Sequence, residues 1–547
     1  MSNKKIVHRE VNHIHHIRAT NYNEDTHLIN ETIYTDDGEE RTRLLQIKNY
    51  ERPFYITRPQ SRNHDNSKKD YEEREKLLEY HCTESDLTNK IAEVTDQRWV
   101  KGGYKALADY PYLYGSDPSS STLIRNMYNT KYPGAKHPKK VAGLDIETDV
   151  VNGTGEIIVM STGMGKKIHC TVLKSFLKNM YDPIGKFNKL VEEHLSEYGL
   201  DITFTIEDDE RDVIRKPIAA LHEWKPALVE VWNVAYDIPF IEDRANQLGM
   251  NVAALWADPA VPPALHRYNW IQGKDKMVTI SGVVKSLKPP SQWHILETSA
   301  SFTVIDGMCV YKQLRSQEPE LPSYSLDNIL SRELGKHKLK FDVSNGLENL
   351  AYHIFMQERY PLEYCLYNIF DTYSMLLLEE KTKDLSVRLP TELGCTDYRY
   401  TPTKTRRGSD KVNLFLLKKG RVAGTVGRAS SNQEDLSLPL SGYILTLPAY
   451  LCNMPGAKII EEYPDWLTSI YLYAFDVDLV SSYPKQIGVM NVSKGTTRTE
   501  VINMKLRNPH VKWVYENISS MVGPGYGLTY VQQVYSTPSL DEMLELV

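Results

Sequence analysis

Four short motifs in this chain place carboxylates where they could do chemistry. The first is Asp145-Ile146-Glu147-Thr148, and the second is Asn233-Val234-Ala235-Tyr236-Asp237. The third is Tyr367-Asn368-Ile369-Phe370-Asp371, and the fourth is Asp478-Leu479-Val480-Ser481-Ser482-Tyr483-Pro484. The four acids of the first three motifs could hold two divalent metals, and two such metals can cleave a phosphodiester. The fourth motif indicates a second reaction centre.

Two of these motifs place their side chains on one face of a regular element. Asp145 and Glu147 are two residues apart on a strand-like run, so both carboxylates are expected on the same side of the strand. Tyr367 and Asp371 are four residues apart in a segment predicted to be helical over residues 363–382, so they are expected to share a helix face. The phenol of Tyr367 could then orient an attacking water. Each motif alone is common, but the three together in this order favour one metal site.

The second motif is expected at a junction between a strand and a helix. Asn233 and Asp237 follow the apolar run 229–232. Pro239 is typical of a first helical turn, so Asp237 is predicted near the start of a helix that ends at Gly249. From there Asn233 could hydrogen-bond a substrate strand.

The hydrophobic pattern predicts one α/β domain around these motifs. Strands are expected over residues 141–144, 157–160 and 168–173, and an amphipathic helix is expected within residues 176–195. Strands and helices go on alternating to about residue 385, which is typical of an α/β domain.

The residues before this domain indicate short strands and turns. The histidine-rich run 12–17 alternates like a strand whose histidines face solvent, and Asp36-Asp37-Gly38 is typical of a hairpin turn. The basic segment 131–140, which contains two prolines, predicts a linker before the strand that follows.

Length, charge, cysteine spacing and the lack of long apolar runs indicate the general class of protein. The chain has 547 residues, of which 41% are hydrophobic, and a formal net charge of -6, so it suits several globular domains and is not basic as a whole. Its six cysteines show no paired spacing, which predicts buried free thiols in a reducing compartment. Without an apolar run of about 20 residues or a signal-peptide core, we expect a soluble cytoplasmic protein with no membrane partner.

A basic segment follows the predicted α/β domain. Between Thr401 and Arg421 the only acid is Asp410, and the basic residues are Lys404, Arg406, Arg407, Lys411, Lys418, Lys419 and Arg421. Such a run usually forms a solvated surface. Because it lies between two candidate phosphate-handling centres, contact between a nucleic-acid backbone and Arg406 and Arg407 is an equal alternative.

The three acidic motifs resemble those of one enzyme family. The D-I-E-T, N-x-x-Y-D and Y-x-x-x-D set is similar to the exonuclease motifs of the family B DNA polymerases that carry a proofreading exonuclease. The wider chain resembles the replicative polymerases of T-even-like bacteriophages. Further similar segments lie along nearly the whole chain, at residues 38–43, 114–117, 321–326 and 454–457.

This resemblance implies a ribonuclease-H-like 3′→5′ exonuclease domain. It implies two Mg²⁺ (or Mn²⁺) ions held by four acids, which are Asp145, Glu147, Asp237 and Asp371. Tyr367 would be a catalytic residue, and Asn233 and Tyr236 would bind the substrate. Two residues separate Asn233 from Tyr236 where many relatives have three, a short form that the protein-primed relatives share.

The fourth motif resembles polymerase motif A, D-x-x-S-L-Y-P. By this resemblance Asp478 would bind Mg²⁺ at the polymerase site, with the carbonyl of Leu479 as a further ligand. Tyr483 would lie beneath the incoming sugar and exclude a 2′-hydroxyl, next to Ser481 and Ser482. Ser482 stands where the family usually has leucine.

The resulting prediction is an α/β multidomain chain. A mixed α+β N-terminal domain is expected over residues 1–139 and the exonuclease domain over residues 140–386. A connecting segment over residues 387–453 could pack with the N-terminal domain. The first part of an incomplete polymerase palm is expected over residues 454–547.

Two polymerase elements are not found in the sequence, namely the lysine-bearing fingers motif K-x-x-x-N-S-x-Y-G and a separate D-T-D. We therefore expect the N-terminal subunit of a split family B DNA polymerase, whose second polypeptide carries the fingers, the remaining palm and the thumb. Primer-template DNA and dNTP are the other expected partners, with a sliding clamp as a further candidate, in the host cytoplasm if the protein is viral. The alternatives are a stand-alone 3′→5′ DNA exonuclease with a vestigial palm, a truncated polymerase, an RNA-processing exonuclease and a non-catalytic DNA-binding subunit.

Overall fold

The computed structural model divides the chain into two compact units, Met1–Ser430 and Ser431–Val547. The residues that it describes are 5–19, 24–62, 69–98, 103–133, 137–178, 180–273, 276–278, 283–287, 294–315, 318–344, 346–347, 349–389, 404–426, 458–459 and 469–470. In the second unit these are the short strands Lys458–Ile459 and Ser469–Ile470, which pair antiparallel.

The first unit begins with two small antiparallel sheets and three helices. In chain order these elements are β1 (Ile6–Ala19), β2 (Glu24–Thr35), β3 (Glu40–Lys48), β4 (Arg52–Thr57), β5 (Tyr71–Glu73), β6 (Leu77–Cys82), α1 (Leu87–Val94), α2 (Gly103–Ala108), β7 (Leu113–Tyr114) and α3 (Ser120–Lys131). The sheets have the strand orders β1-β2-β3 and β6-β4-β7. The turn between β2 and β3 contains Gly38 at φ +79°, which confirms the predicted hairpin.

The prediction that the histidines of β1 face solvent is wrong. His13 is buried, and its Nε2 lies 3.0 Å from the carbonyl oxygen of Ala300. His16 stacks on His27 of β2, with ring centroids 4.8 Å apart. An alternating pattern shows which residues share a strand face, but it does not show what packs on that face. Here the sheet is covered by later parts of the chain.

A six-stranded sheet forms the centre of the first unit. Its region contains, in chain order, β8 (Val141–Thr148), β9 (Ile157–Met164), β10 (Lys167–Leu173), α4 (Pro183–Leu195), β11 (Asp201–Glu207), α5 (Glu210–Trp224), β12 (Leu228–Val231), α6 (Val234–Gln247), α7 (Val252–Trp256), β13 (Tyr268–Ile271), β14 (Lys276–Val278), β15 (Val284–Ser286), β16 (Ile295–Thr298) and β17 (Thr303–Asp306). The strand order is β11-β10-β9-β8-β12-β17. β9 runs antiparallel to both neighbours, and the other pairs are parallel. This mixed α/β architecture is consistent with the predicted α/β domain.

The helices that complete the first unit follow β17. They are α8 (Gly307–Leu314), α9 (Leu326–Leu334), α10 (Asn349–Arg359), α11 (Pro361–Thr382) and α12 (Lys404–Lys418), and the strand β18 (Arg421–Ala423) comes last. β18 pairs antiparallel with β5, so the chain returns to the N-terminal region after α12.

Helices cover both faces of the six-stranded sheet. On one face, α5 and α6 bury an apolar cluster with Ala142, Leu144 and Ile146 of β8. On the other face, α4, α10 and α11 form a second cluster with β9 and β10. Since side chains alternate along a strand, the alternate residues of β8 face α11.

A glycine lets α11 lie close to β8. A Cβ atom on Gly143 would lie 3.0 Å from the carbonyl oxygen of Thr372, tighter than ordinary van der Waals contact. The hydroxyls of Ser161 and Thr372 are 2.6 Å apart and connect β9 to the same turn of α11. The sheet therefore meets α11 along the part of the helix that carries the third acidic motif.

The predicted free cysteines are confirmed where the structure describes them. Cys82, Cys170, Cys309 and Cys365 are buried and free. The other two cysteines lie outside the described residues.

Candidate active site

β8 presents the first two acids to α11. Leu144 and Ile146 point into the core beneath α5 and α6, so Asp145 and Glu147 point to the opposite face. Both carboxylates are partly buried at the end of the strand. The predicted strand, and its two acids on one side, are confirmed.

α11 brings a third acid and a phenol to the same place. The helix is longer at its start than the predicted 363–382, and Asp371 and Tyr367 lie on one face as expected. One carboxylate oxygen each from Asp145, Glu147 and Asp371 lies within 4.8 Å of the other two. Such a cluster of oxygens is suited to a divalent cation.

The junction between β12 and α6 supplies the second motif. The predicted helix start is wrong: α6 begins at Val234, with Asn233 in the capping position, so Pro239 lies inside the helix. Asp237 nevertheless falls in the first turn, as expected, and it is buried. The helix start was predicted from Pro239 because proline is typical of the first helical turn, but α6 begins five residues earlier.

The candidate site residues of the first three motifs line one open cleft of about 890 Å³. The site residues predicted from the sequence that line it are Asp145, Glu147, Asn233, Tyr236, Asp237, Tyr367 and Asp371. Asp237 belongs to this cleft but lies outside the tight three-acid cluster. Residues 322–327 form part of the wall, where Trp232 donates from Nε1 to the carbonyl oxygen of Tyr324 at 3.0 Å.

The crowding of acids raises their pKa values. Burial, followed by the charges of Asp237, Asp371 and Glu147, raises the pKa of Asp145 well above its ordinary value. Burial raises the pKa of Glu147 to about 7, although a hydrogen bond from Tyr364 opposes this. Burial also raises the pKa values of Asp237 and Asp371. The site therefore favours a cation, which would offset both the burial and the mutual repulsion of these charges.

Lys338 lies in the cleft and was not singled out by sequence reasoning. Its ammonium donates to Oδ2 of Asp371 at 2.6 Å and to the hydroxyl of Tyr367 at 3.2 Å. Burial lowers the pKa of Lys338, but the charges of Asp371 and Asp145 outweigh it and leave that pKa above its ordinary value. No local motif marks this residue, because it comes from the segment between α9 and α10.

Two further residues of α11 contact the acids of β8. The Tyr364 hydroxyl donates to Oε2 of Glu147, and Nδ2 of Asn368 donates to Oδ2 of Asp145 at 2.7 Å. A sequence signal for them exists, because Tyr364 and Asn368 are spaced with Asp371 at helical intervals on one face. The sequence analysis assigned no role to these two residues.

Among the described residues, one carboxylate oxygen of the cluster lacks a hydrogen-bond partner, as expected of a ligand to a divalent metal. Within the described part of the chain, Oδ1 of Asp371 is buried and has no hydrogen-bond partner. A buried carboxylate oxygen without a partner is costly, and a cation at the three-acid cluster would satisfy it. Oxygen donors of this kind are those that Mg²⁺ and Mn²⁺ prefer.

The structure does not place the residues of the fourth motif. Asp478, Leu479, Ser481, Ser482 and Tyr483 all lie outside the described residues. Arg406 and Arg407 belong to α12, but the structure does not describe their side chains. Within the described part of the chain, no helix combines the length and apolar character needed to cross a bilayer.

The fold and the site define a protein with a mixed α/β sheet and a carboxylate-lined cleft that could bind a divalent metal. Residues 116–329 match the family model described as the exonuclease domain of family B DNA polymerases. This match includes Asp145, Glu147 and Asp237 and ends before α11. Over these residues the chain is therefore similar to the exonuclease domain of family B DNA polymerases, and the carboxylate cluster is suited to a divalent metal.

Two phage proteins resemble most of the chain at low identity. The DNA-directed DNA polymerase of Escherichia phage RB69 is 23% identical over 470 residues, covering 78% of this chain and 45% of that protein. The DNA-directed DNA polymerase of Enterobacteria phage T4 is 22% identical over 439 residues, covering 75% of this chain and 41% of that protein. The chain spans less than half the length of these curated relatives.

Proposed function

We propose that this protein is a metal-dependent 3′→5′ exonuclease that removes nucleotides from single-stranded DNA. The observation that carries the proposal is the meeting of Asp145, Glu147 and Asp371 within 4.8 Å, in a cleft that Asp237 also lines. The exonuclease-domain match supports the reaction type, and the phage polymerase relatives support DNA as the substrate.

The reaction would be hydrolysis of the terminal phosphodiester, releasing a nucleoside 5′-monophosphate and a new 3′-hydroxyl. Two divalent ions bound by the acids would activate the attacking water and stabilise the leaving oxygen. The phenol of Tyr367 would orient that water, since its hydroxyl lies in the cleft beside Asp371. Lys338 would offset negative charge that develops on the phosphate.

The DNA strand would lie along the cleft beside the start of α6. Tyr236 is 41% exposed there, and its ring lies 4.6 Å from that of Phe240. Its hydroxyl is 3.2 Å from the hydroxyl of Thr148, at the end of β8. An exposed aromatic ring held in this way could stack on a base without regard to sequence, and Asn233 could hydrogen-bond the strand.

The second candidate is an RNA-processing exonuclease. The preference of the protein for DNA or RNA distinguishes the two candidates. We would incubate the protein and Mg²⁺ with 5′-labelled single-stranded DNA and RNA of the same sequence. Stepwise shortening of the DNA, with slower or no shortening of the RNA, is the expected result. Preference for RNA would contradict the proposal.

We also propose the domain division given by the motifs. A ribonuclease-H-like exonuclease domain would occupy residues 140–386, between an N-terminal domain over residues 1–139 and a connecting segment over residues 387–453. The pairing of β18 with β5 supports packing of the connecting segment against the N-terminal domain. Residues 454–547 would form the first part of a palm with motif A.

Polymerase activity would need more protein than these 547 residues. Asp478 would supply one metal-binding carboxylate, while the fingers lysine and a second catalytic aspartate would come from additional polypeptide. We propose that a second subunit supplies them, and that the assembly uses primer-template DNA, dNTP and Mg²⁺. Native mass spectrometry of the complex from its natural source should find a chain with the missing motifs. A single species that consists of this chain alone would favour a stand-alone exonuclease.

A further inference from the structure

The strand carboxylates of the cleft are each held by a side chain of α11. The hydroxyl of Tyr364 donates to Oε2 of Glu147. One turn later, Nδ2 of Asn368 donates to Oδ2 of Asp145 at 2.7 Å. Tyr364 and Asn368 are both buried, so these hydrogen bonds are largely shielded from solvent.

The spacing of the two elements makes this double contact possible. Four residues of an α-helix advance about 6 Å, and two residues of a strand advance about 6.6 Å. Tyr364 and Asn368 therefore repeat along α11 at nearly the interval at which Glu147 and Asp145 repeat along β8. The close approach of the helix at Gly143 brings the two rows within hydrogen-bonding reach.

The hydrogen bond from Tyr364 to Glu147 sets the tautomer of a neighbouring histidine. Nδ1 of His353, on α10, lies 2.7 Å from the Tyr364 hydroxyl. Because the phenol donates its one hydrogen to Glu147, its oxygen must accept from His353. The hydrogen of the imidazole is therefore on Nδ1, and the chain of donors runs from His353 through Tyr364 to Glu147.

We infer that Tyr364 and Asn368 are positioning residues, which fix the carboxylates of Glu147 and Asp145 in the orientation that binds divalent metal. This inference rests on the proposed exonuclease function. It assigns the two residues no contact with DNA or with the reacting atoms. Their effect is on the affinity of the metal site.

The physical reason is the repulsion between the acids. Without these donors, the carboxylates of Asp145 and Glu147 could turn away from each other and from Asp371 to reduce repulsion. Metal binding would then have to reverse that rotation. Outer hydrogen-bond partners of metal ligands typically change metal affinity by about 10- to 100-fold.

The test is the binding of Mn²⁺ by the full chain, followed by electron paramagnetic resonance of the free ion. Tyr364→Phe removes one hydroxyl and keeps the ring, which stacks on Tyr367 with centroids 5.9 Å apart. We expect Mn²⁺ to bind this variant about tenfold more weakly. Hydrolysis of DNA at saturating Mn²⁺ should approach the wild-type rate, with unchanged KM for DNA.

Tyr352→Phe is the matched control. Tyr352 is buried in the same aromatic group, with its ring centroid 5.7 Å from that of Tyr367. Its hydroxyl has no hydrogen-bond partner among the described residues. Loss of this hydroxyl should leave Mn²⁺ affinity unchanged, so a weakening specific to Tyr364→Phe cannot be a general effect of altering the cluster.

Asn368→Leu tests the second contact and serves if Tyr364→Phe fails to fold. It should also weaken Mn²⁺ binding about tenfold. Equal Mn²⁺ affinity in wild type and in the folded Tyr364 and Asn368 variants would overturn the inference, even if all of them degrade DNA. A wild type that binds Mn²⁺ but does not degrade DNA would contradict the proposed function, while the affinities would still decide the inference. A wild type that binds no Mn²⁺ would overturn both.

Discussion

The ammonium nitrogen of Lys338 lies 2.6 Å from Oδ2 of Asp371, so a cation of the protein itself sits among the acids of the cleft. Its charge lowers the pKa of Asp371 and offsets part of the increase that burial causes. The same nitrogen contacts the hydroxyl of Tyr367 at 3.2 Å. Lys338 therefore connects an expected metal ligand to the phenol expected to orient water.

Replacing Lys338 with methionine should slow hydrolysis about tenfold or more, since the cleft loses the charge that would stabilise the phosphate in the transition state. Single-turnover hydrolysis of labelled DNA measures this. Lys336→Met is the matched control, because Lys336 is exposed and its ammonium bonds the Tyr198 hydroxyl at 2.9 Å, away from the acids. If the two variants are equally active, Lys338 has no part in the reaction.

Tyr367→Phe should slow hydrolysis while leaving DNA affinity nearly unchanged. The ring can still pack against Tyr364 and Tyr352, and only the hydroxyl is lost. DNA binding by fluorescence anisotropy in Ca²⁺ and hydrolysis in Mg²⁺ separate the two effects. A parallel loss of binding and rate would mean that the tyrosine supports the structure and does not orient water.

Glu147→Gln should stabilise the metal-free protein at alkaline pH. The folded-state pKa of Glu147 is raised to about 7, so the cost of ionising it is absent below about pH 4.5 and complete above about pH 7. Glutamine carries no charge, so the variant should gain about 1–3 kcal/mol over wild type at pH 8 and much less at pH 5.

Thermal unfolding in EDTA at both pH values measures this difference. Glu380→Gln, at an exposed position of α11, is the control and should show no such pH-dependent gain. A stability difference between Glu147→Gln and wild type that is the same at pH 5 and pH 8 would contradict the raised pKa.

Much of this site follows from local spacing. The alternation of β8 and the four-residue interval of α11 fix which face carries each acid, so their places could be predicted without the fold. Lys338 could not be predicted in that way, because it reaches the acids from a loop through the tertiary structure. The burial of His13 was missed for the same reason, since the atom that it contacts belongs to Ala300, far along the chain.

Asp478→Ala should separate the two proposed activities. When this chain is combined with the proposed second subunit, the variant should lose primer extension, because motif A would lose its metal ligand. Exonuclease activity should stay at the wild-type level, since Asp145, Glu147 and Asp371 are unchanged. Primer-extension and degradation assays on the same preparation check this. Extension that survives the substitution would show that Asp478 is not a polymerase ligand.

The most direct test of the central claim is the degradation of a 5′-labelled single-stranded DNA by wild type and by the double variant Asp145→Ala/Glu147→Ala. Wild type with Mg²⁺ should produce a ladder that shortens from the 3′ end, and EDTA should stop it. The double variant loses both acids of β8, so it should show no ladder under the same conditions while retaining its fold by circular dichroism. A double variant that degrades the DNA as fast as wild type would show that these acids do not form the active site.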